Sequence, residues 1–207
     1  MDPSRRRWRD LREDWRRRIA ARVVSDRAWL STVYGRRFGR LPDLERPQGF
    51  NEKILVKILT DRRPYLTLFA DKLRVRAWAR RAAPMLDFPE LYWWSTSAHD
   101  LPFDGLPPSF ALKANHGSGF NLLVRDKRKL RRKDVVALAR RWLRSDFTIV
   151  GREWAYRNIR RAVFAEELLA GVDGAPPPDY KFFVFGGKLR VIQVDEGRDS
   201  RHTQTLY

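Results

Sequence analysis

The sequence has no cysteine, three histidines and two methionines. Without cysteine there is no disulfide scaffold and no thiolate metal site, and His99, His116 and His202 are too scattered to form a zinc motif. No stretch approaches the roughly 20 uninterrupted apolar residues that cross a bilayer, and the N-terminus lacks the apolar centre of a signal peptide. These absences predict a cytoplasmic protein. Internal repeats and low-complexity linkers are also missing.

What is present is a chain of 207 residues, 43% hydrophobic and 13% aromatic, enough for one compact domain or two small ones. Its formal charge is +18, from 34 arginines and nine lysines against 25 acidic residues. Clustered cations neutralise phosphates, so such a charge invites a nucleic-acid reading. No zinc finger, RNA-binding signature or clear helix-turn-helix accompanies it, and an arginine bias of this kind also arises from genome composition, so nucleic acid is not the expected partner. Attraction to acidic polymers or anionic lipid surfaces stays open.

Between Ser4 and Asp26, Trp8, Leu11, Trp15, Ile19 and Val23 recur at three- and four-residue spacing among arginines, which predicts an amphipathic helix. It either packs on its own domain or lies on a membrane surface or partner. After a loop-like stretch from Tyr34 to Pro47, Asn51 is placed to cap a helix beginning at Glu52. A further helix is expected from Pro64 to about Ala82, with Asp71, Lys72 and Arg76 forming a solvated charged face. From Pro89 the pattern changes to short apolar runs bounded by Gly, Pro and Asp: ELYWW, SFALKAN, FNLLVRD, AVFAEELL, DYKFFVFGG and KLRVIQVD read as strands. A helix from about Lys129 to Arg144 separates the third from the fourth, and Gly186-Gly187 signals a hairpin. The fold class is α+β, helical at the start and mostly antiparallel sheet in its second half. The expected divisions are an Arg-rich helix over 1–33, a helical region over 34–88 and a sheet region over 89–207.

Three constellations carry possible chemistry. Lys113 interrupts an apolar strand, so its ammonium needs an anionic partner such as a phosphate, or a route to solvent along its own stem. His116, Gly117, Ser118 and Gly119 follow it as a small turn whose N–H groups can close around phosphate oxygens, or simply join two strands. Glu166 and Glu167 end a strand on opposite faces. One of them, with the backbone of Leu168 and Leu169, offers the acceptor and donor that an adenine requires; solvated carboxylates are the plainer reading. Asp179 and Lys181 share a strand face with Phe183 and Phe185, suiting a ribose hydroxyl and a phosphate, or forming an ordinary salt bridge. Gln193 and Asp195 share a face on the next strand. Beyond them Arg198, Arg201 and His202 make a polar tail able to contact an acidic substrate.

Taken in order, FNEK, DK with Arg76 following, FALKANHGSGFN, EWAYRNI, AEELL, DYKFFVFGGKLRVIQVD and the terminal R..RHT resemble the TupA-like ATP-grasp family, named from teichuronopeptide synthesis. The resemblance covers about Tyr34 to Tyr207. It implies an ATP-grasp fold, with ATP held between antiparallel sheets of two α+β lobes, and a reaction in which ATP phosphorylates a carboxylate that an amine then attacks. It further implies that Lys113 meets the α- and β-phosphates, that His116 to Gly119 form a mobile phosphate-covering loop, and that Glu166, with Glu167, Leu168 and Leu169 beside it, holds adenine. By the same resemblance Asp179 faces ribose, Lys181 faces phosphate and takes part in catalysis, and Arg198 and His202 act in catalysis on the substrate. Magnesium bridges the phosphates in this chemistry, and its ligand strands are expected beyond a position equivalent to Tyr207, so the chain reads as C-terminally truncated or as completed by another polypeptide. The partners implied are ATP and an acidic polysaccharide or peptide precursor of the cell surface, with peripheral contact at the inner face of the membrane through the N-terminal helix. Two rival readings are a catalytically inactive ATP-grasp remnant that binds nucleotide or acidic polymer, and a basic nucleic-acid or membrane-surface protein.

Overall fold

A computed structural model describes residues 23–171, 177–197 and 202–207. The amphipathic helix expected before Asp26 therefore falls almost wholly outside the described residues, as do Arg198 and Arg201. The described chain begins with helix α1 (Asp26–Phe38), capped by the Ser25 hydroxyl, which accepts from the Ala28 N–H at 3.2 Å. It ends at Gly39, whose φ of 71° is one that glycine adopts without steric cost. Helix α2 (Phe50–Thr60) starts two residues before the expected position, because its cap is Gly49 and not Asn51. The Glu52 carboxylate reaches back to the Gly49 N–H at 3.0 Å and also takes the N–H groups of Asp43 and Gln48 and the Arg40 guanidinium. Those bonds, the Gly49 N–H foremost, hold the Glu52 carboxyl at about 2, well below its ordinary value.

The single helix expected from Pro64 to Ala82 is two: α3 (Tyr65–Ala70) and α4 (Arg74–Ala82). Asp71 makes the break. Its side chain accepts from the N–H groups of Leu73 at 3.0 Å and Arg74 at 3.2 Å, the bonding of an Asp at a helix start. The solvated charged face expected at Asp71, Lys72 and Arg76 is not found: Asp71 and Arg76 are buried, and Lys72 is partly so. Helical spacing alone does not disclose that this side of the segment turns onto a sheet.

That sheet has four antiparallel strands in the order β1-β4-β2-β3: β1 (Leu91–Ser95), β2 (Phe110–Ala114), β3 (Asn121–Val124) and β4 (Val163–Glu166). Strand alternation sends Phe110, Leu112, Ala114, Val124, Val163 and Ala165 to one face. There they pack on helix α5 (Arg132–Arg144), through Val135, Ala139 and Trp142, and on the segment carrying Ala98, Leu101, Phe103 and Leu106. The opposite face carries Trp94, Phe164, Lys113 and Asn121 in one cross-strand row and Leu91, Glu166, Ala111 and Leu123 in the next. A short helix α6 (Thr148–Gly151) lies between α5 and β4.

A second antiparallel sheet is ordered β5-β6-β7, from β5 (Asp179–Phe185), β6 (Lys188–Glu196) and β7 (Thr203–Leu206). Gly186 and Gly187, at φ 56° and 76°, form the two-residue hairpin loop that the glycine pair predicts. Strand β7, which follows the expected polar tail of Arg198, Arg201 and His202, has no counterpart in the sequence reading: Thr203 to Leu206 pair with Gln193 to Glu196. Among the described residues no helix is long and apolar enough to cross a membrane.

Candidate functional site

Lys113 stands on the face of the first sheet opposite helix α5, and its anionic partner within the protein is Glu166. The Lys113 Nζ donates to Glu166 Oε1 at 2.6 Å, while Arg76 from α4 donates to Glu166 Oε2 at 2.6 Å. The same guanidinium also donates to the Pro89 carbonyl. Glu166 and Arg76 are buried, whereas the Lys113 side chain keeps 31% of its surface. Glu166 thus serves as a fixed counter-charge that aims the Lys113 ammonium. Its neighbour Glu167 lies just past the end of β4 and is exposed, and Leu168 and Leu169 beyond it are partly or largely open to solvent.

Lys72 is the residue that sequence reasoning missed. It occupies the break between α3 and α4, and its Nζ donates to the Gly117 carbonyl and, at 3.3 Å, to that of Ala114. Burial pushes the Lys72 ammonium below its ordinary pKa, and the nearby Lys113 ammonium pushes it further. Two cations therefore converge at the end of β2, one of them held at an energetic cost that an added anion would relieve. The signal in the sequence was Asp71, a helix-starting residue in the middle of a helical pattern, which marked a break exactly where a lysine follows.

The turn after β2 is anchored at one end and open at the other. Asn115 is buried: its Nδ2 donates to Asp71 Oδ1 and to the Arg160 carbonyl, each at 3.0 Å, and its Oδ1 accepts from the Ala162 N–H at 2.8 Å. His116 is also buried. Its Nε2–H donates to the Trp142 carbonyl at 3.0 Å, and burial lowers its pKa. The imidazole thus faces the core, so its residue offers only backbone to a ligand. Gly117 is packed so closely that a Cβ there would lie 2.8 Å from atoms of both Phe120 and Phe147. Ser118 and Gly119, by contrast, are exposed, with Gly119 at φ 75°, and their N–H groups make no hydrogen bond among the described residues. The free donors of the turn are at its tip.

On the second sheet, Asp179 and Lys181 do share a face, 3.3 Å apart, and both exceed 40% exposure. Lys181 also pairs with Asp195 on β6, a side chain only 1% exposed. Gln193 Nε2 donates to Asp195 Oδ1 at 2.9 Å, and His202 Nε2 approaches the same oxygen at 3.5 Å. Asp195 thereby gathers Lys181, Gln193 and His202, a role foreshadowed only by its sharing a face with Gln193.

The first antiparallel sheet thus carries a lysine-bearing strand, a small glycine turn and a strand ending in Glu166, and a second antiparallel sheet follows it in the chain. The chain belongs to the TupA-like ATP-grasp family, whose model matches residues 52–207. No curated protein and no solved structure gives a significant match.

Proposed function

We propose that this chain binds ATP for a ligase-type reaction, in which a carboxylate is activated by phosphorylation and then joined to an amine, in the assembly of a cell-surface polysaccharide or a peptide-bearing polymer. The observation that carries the nucleotide reading is the proximity of the Lys72 and Lys113 ammonium groups, with Lys72 bonded to the Gly117 carbonyl of the glycine turn. Two ammonium groups set close together, one already displaced downward in pKa, suit a polyanion better than a single carboxylate.

In this reading Lys113 and Lys72 hold phosphate oxygens, and the N–H groups of Ser118 and Gly119 cover them, with Gly117 as the fixed base of the turn and the buried His116 as its anchor. Glu166 orients Lys113. Its first role is electrostatic, since both its oxygens already take cations. The exposed strand end at Glu167, Leu168 and Leu169 meets the adenine edge, Asp179 meets ribose, and Lys181 meets phosphate. A substrate carboxylate oxygen attacks the γ-phosphorus as the bond to the β-phosphate oxygen breaks and ADP departs. An amine then attacks the acyl phosphate, forming the amide and releasing phosphate. In this reading His202, backed by Asp195, takes the amine's proton, Arg198 binds the acidic substrate and Lys181 acts on the transferring group.

ATP-grasp enzymes generally use magnesium. Among the described residues no three acidic or histidine side chains gather to hold a metal ion. Magnesium bound with a nucleotide needs only one or two carboxylates beside phosphate oxygens and water, and the phosphate contacts assigned here to this chain's described residues are those of lysines and backbone donors. The remaining elements of the proposal are an acidic polymer or peptide precursor as substrate and a site of action at the cytoplasmic face of the membrane.

The test is hydroxylamine trapping. Incubated with ATP, magnesium and a panel of acidic sugars and peptides, the chain should form a hydroxamate and ADP in equal amounts with its own substrate class. ATP binding without hydroxamate or ADP from any acid would overturn the ligase reading and leave a nucleotide-binding remnant.

A further inference from the structure

A cavity of about 320 Å³ opens on the same sheet face as Lys113, at the β1 edge. This lies at the small end of the range of ligand pockets, roughly 300–1,000 Å³. Its floor is the Asp71–Asn115 pair, one wall is Leu91 and Trp94, and Arg74 and Arg160 also line it. The floor is rigid and internally satisfied, since Asp71 Oδ1 and both ends of the Asn115 amide already have partners. The walls are not. The Trp94 side chain is exposed, at 55%, and its ring meets no other ring among the described residues. The guanidinium groups of Arg74 and Arg160 are exposed and, among the described residues, pair with no carboxylate and stack on no ring.

Two unpaired guanidinium forks beside a flat apolar wall are complementary to one kind of molecule. Guanidinium matches carboxylate and phosphate in geometry as well as charge, and an indole face offers a surface for a flat apolar body. We propose that this cavity binds a small organic anion, its charged group held by Arg74 and Arg160 and its apolar body laid against Trp94. The site is separate from the nucleotide pocket in its binding groups, so the inference stands whether or not the nucleotide reading holds.

The experiment uses benzoate and phenyl phosphate as probes, with benzamide and acetate as controls, followed by ligand-observed saturation-transfer NMR and calorimetry on the whole chain. A Kd on the order of 1 mM is expected for probes this small. Benzamide, lacking the charge, and acetate, lacking the body, should each bind at least about tenfold more weakly, a step of about 1.4 kcal/mol. The paired substitution Arg74→Ala with Arg160→Ala, and separately Trp94→Ala, should cause the same loss, while Lys113→Ala leaves the probes unaffected. Melting curves confirm that each variant is folded. Preference for benzoate assigns a carboxylate and preference for phenyl phosphate assigns a phosphate ester. The proposal is overturned if neither probe saturates at about 20 times the expected Kd, or if binding survives the paired arginine substitution.

Discussion

Replacing Glu166 with glutamine probes the centre of the first sheet. The substitution keeps the shape of the side chain but removes the counter-charge shared by Arg76 and Lys113. Glu166 is 4% exposed and Arg76 7%, so the guanidinium would be left buried without an ion partner. Breaking a buried pair from one side costs roughly 3–5 kcal/mol. Lys113 is more exposed, and water compensates part of its loss, which places the expected cost near about 3 kcal/mol. In urea unfolding with a slope of about 2 kcal/mol per M, the midpoint should fall by about 1.5 M with the slope unchanged. Adding Arg76→Met to Glu166→Gln should cost less than the sum of the two single substitutions, by about 1–3 kcal/mol, because the second change removes the stranded charge. Tripolyphosphate should recover part of the stability by binding the uncompensated cations. A loss below about 1 kcal/mol, or strict additivity of the double variant, would refute the claim that Glu166 is the counter-charge that orders this face.

Three further predictions rest on the same face. Gly117→Ala should destabilise the chain by about 1–3 kcal/mol, read by thermal melting, since its Cβ would meet two phenylalanine rings; an unchanged melting temperature would show that the turn has room. His116 is buried with a pKa below the ordinary 6.5. The unfolded chain therefore takes up its proton first, and stability from this residue, complete above about pH 6.5, is lost as pH falls toward the folded value, by at most about 1.4 kcal/mol per pH unit. His116→Gln should flatten that part of the pH–stability curve relative to the unmodified chain, and parallel curves would contradict it. Lys72→Met removes the tether to Gly117, so amide exchange at Ala114, whose N–H closes the turn on the Phe120 carbonyl at 2.9 Å, should quicken in the absence of ligand; unchanged exchange by hydrogen-exchange mass spectrometry would contradict it.

The six strands were legible as short apolar runs bounded by Gly, Pro and Asp, FALKA and DYKFFVF among them, and helix α5 was legible because Val135, Ala139 and Trp142 recur on one helical stripe. The glycine hairpin was equally plain, since both residues need positive φ. Legibility failed where tertiary contact overrides local pattern. Asp71, Lys72 and Arg76 have the spacing of a solvated face, and only the sheet that α4 covers turns them inward. Lys113 was recognised as a misplaced charge, yet its partner Glu166 lies 53 residues away in sequence, a pairing set by the β2–β4 register. His116 looked like part of a mobile turn because its burial comes from α5, through a carbonyl at Trp142 that carries no sequence signature. Strand β7 is short and polar, and its pairing with β6 stabilises it more than its composition does.

The central claim is that Lys72 and Lys113 together hold the phosphates of ATP. Calorimetric titration of ATP into the unmodified chain, Lys72→Ala and Lys113→Ala, each shown folded by circular dichroism, tests it most directly. A charge-assisted hydrogen bond contributes about 1.5–3 kcal/mol, so each substitution should weaken binding by roughly 10- to 100-fold. Full ATP affinity in either folded variant, or no binding by the folded unmodified chain, would contradict the account.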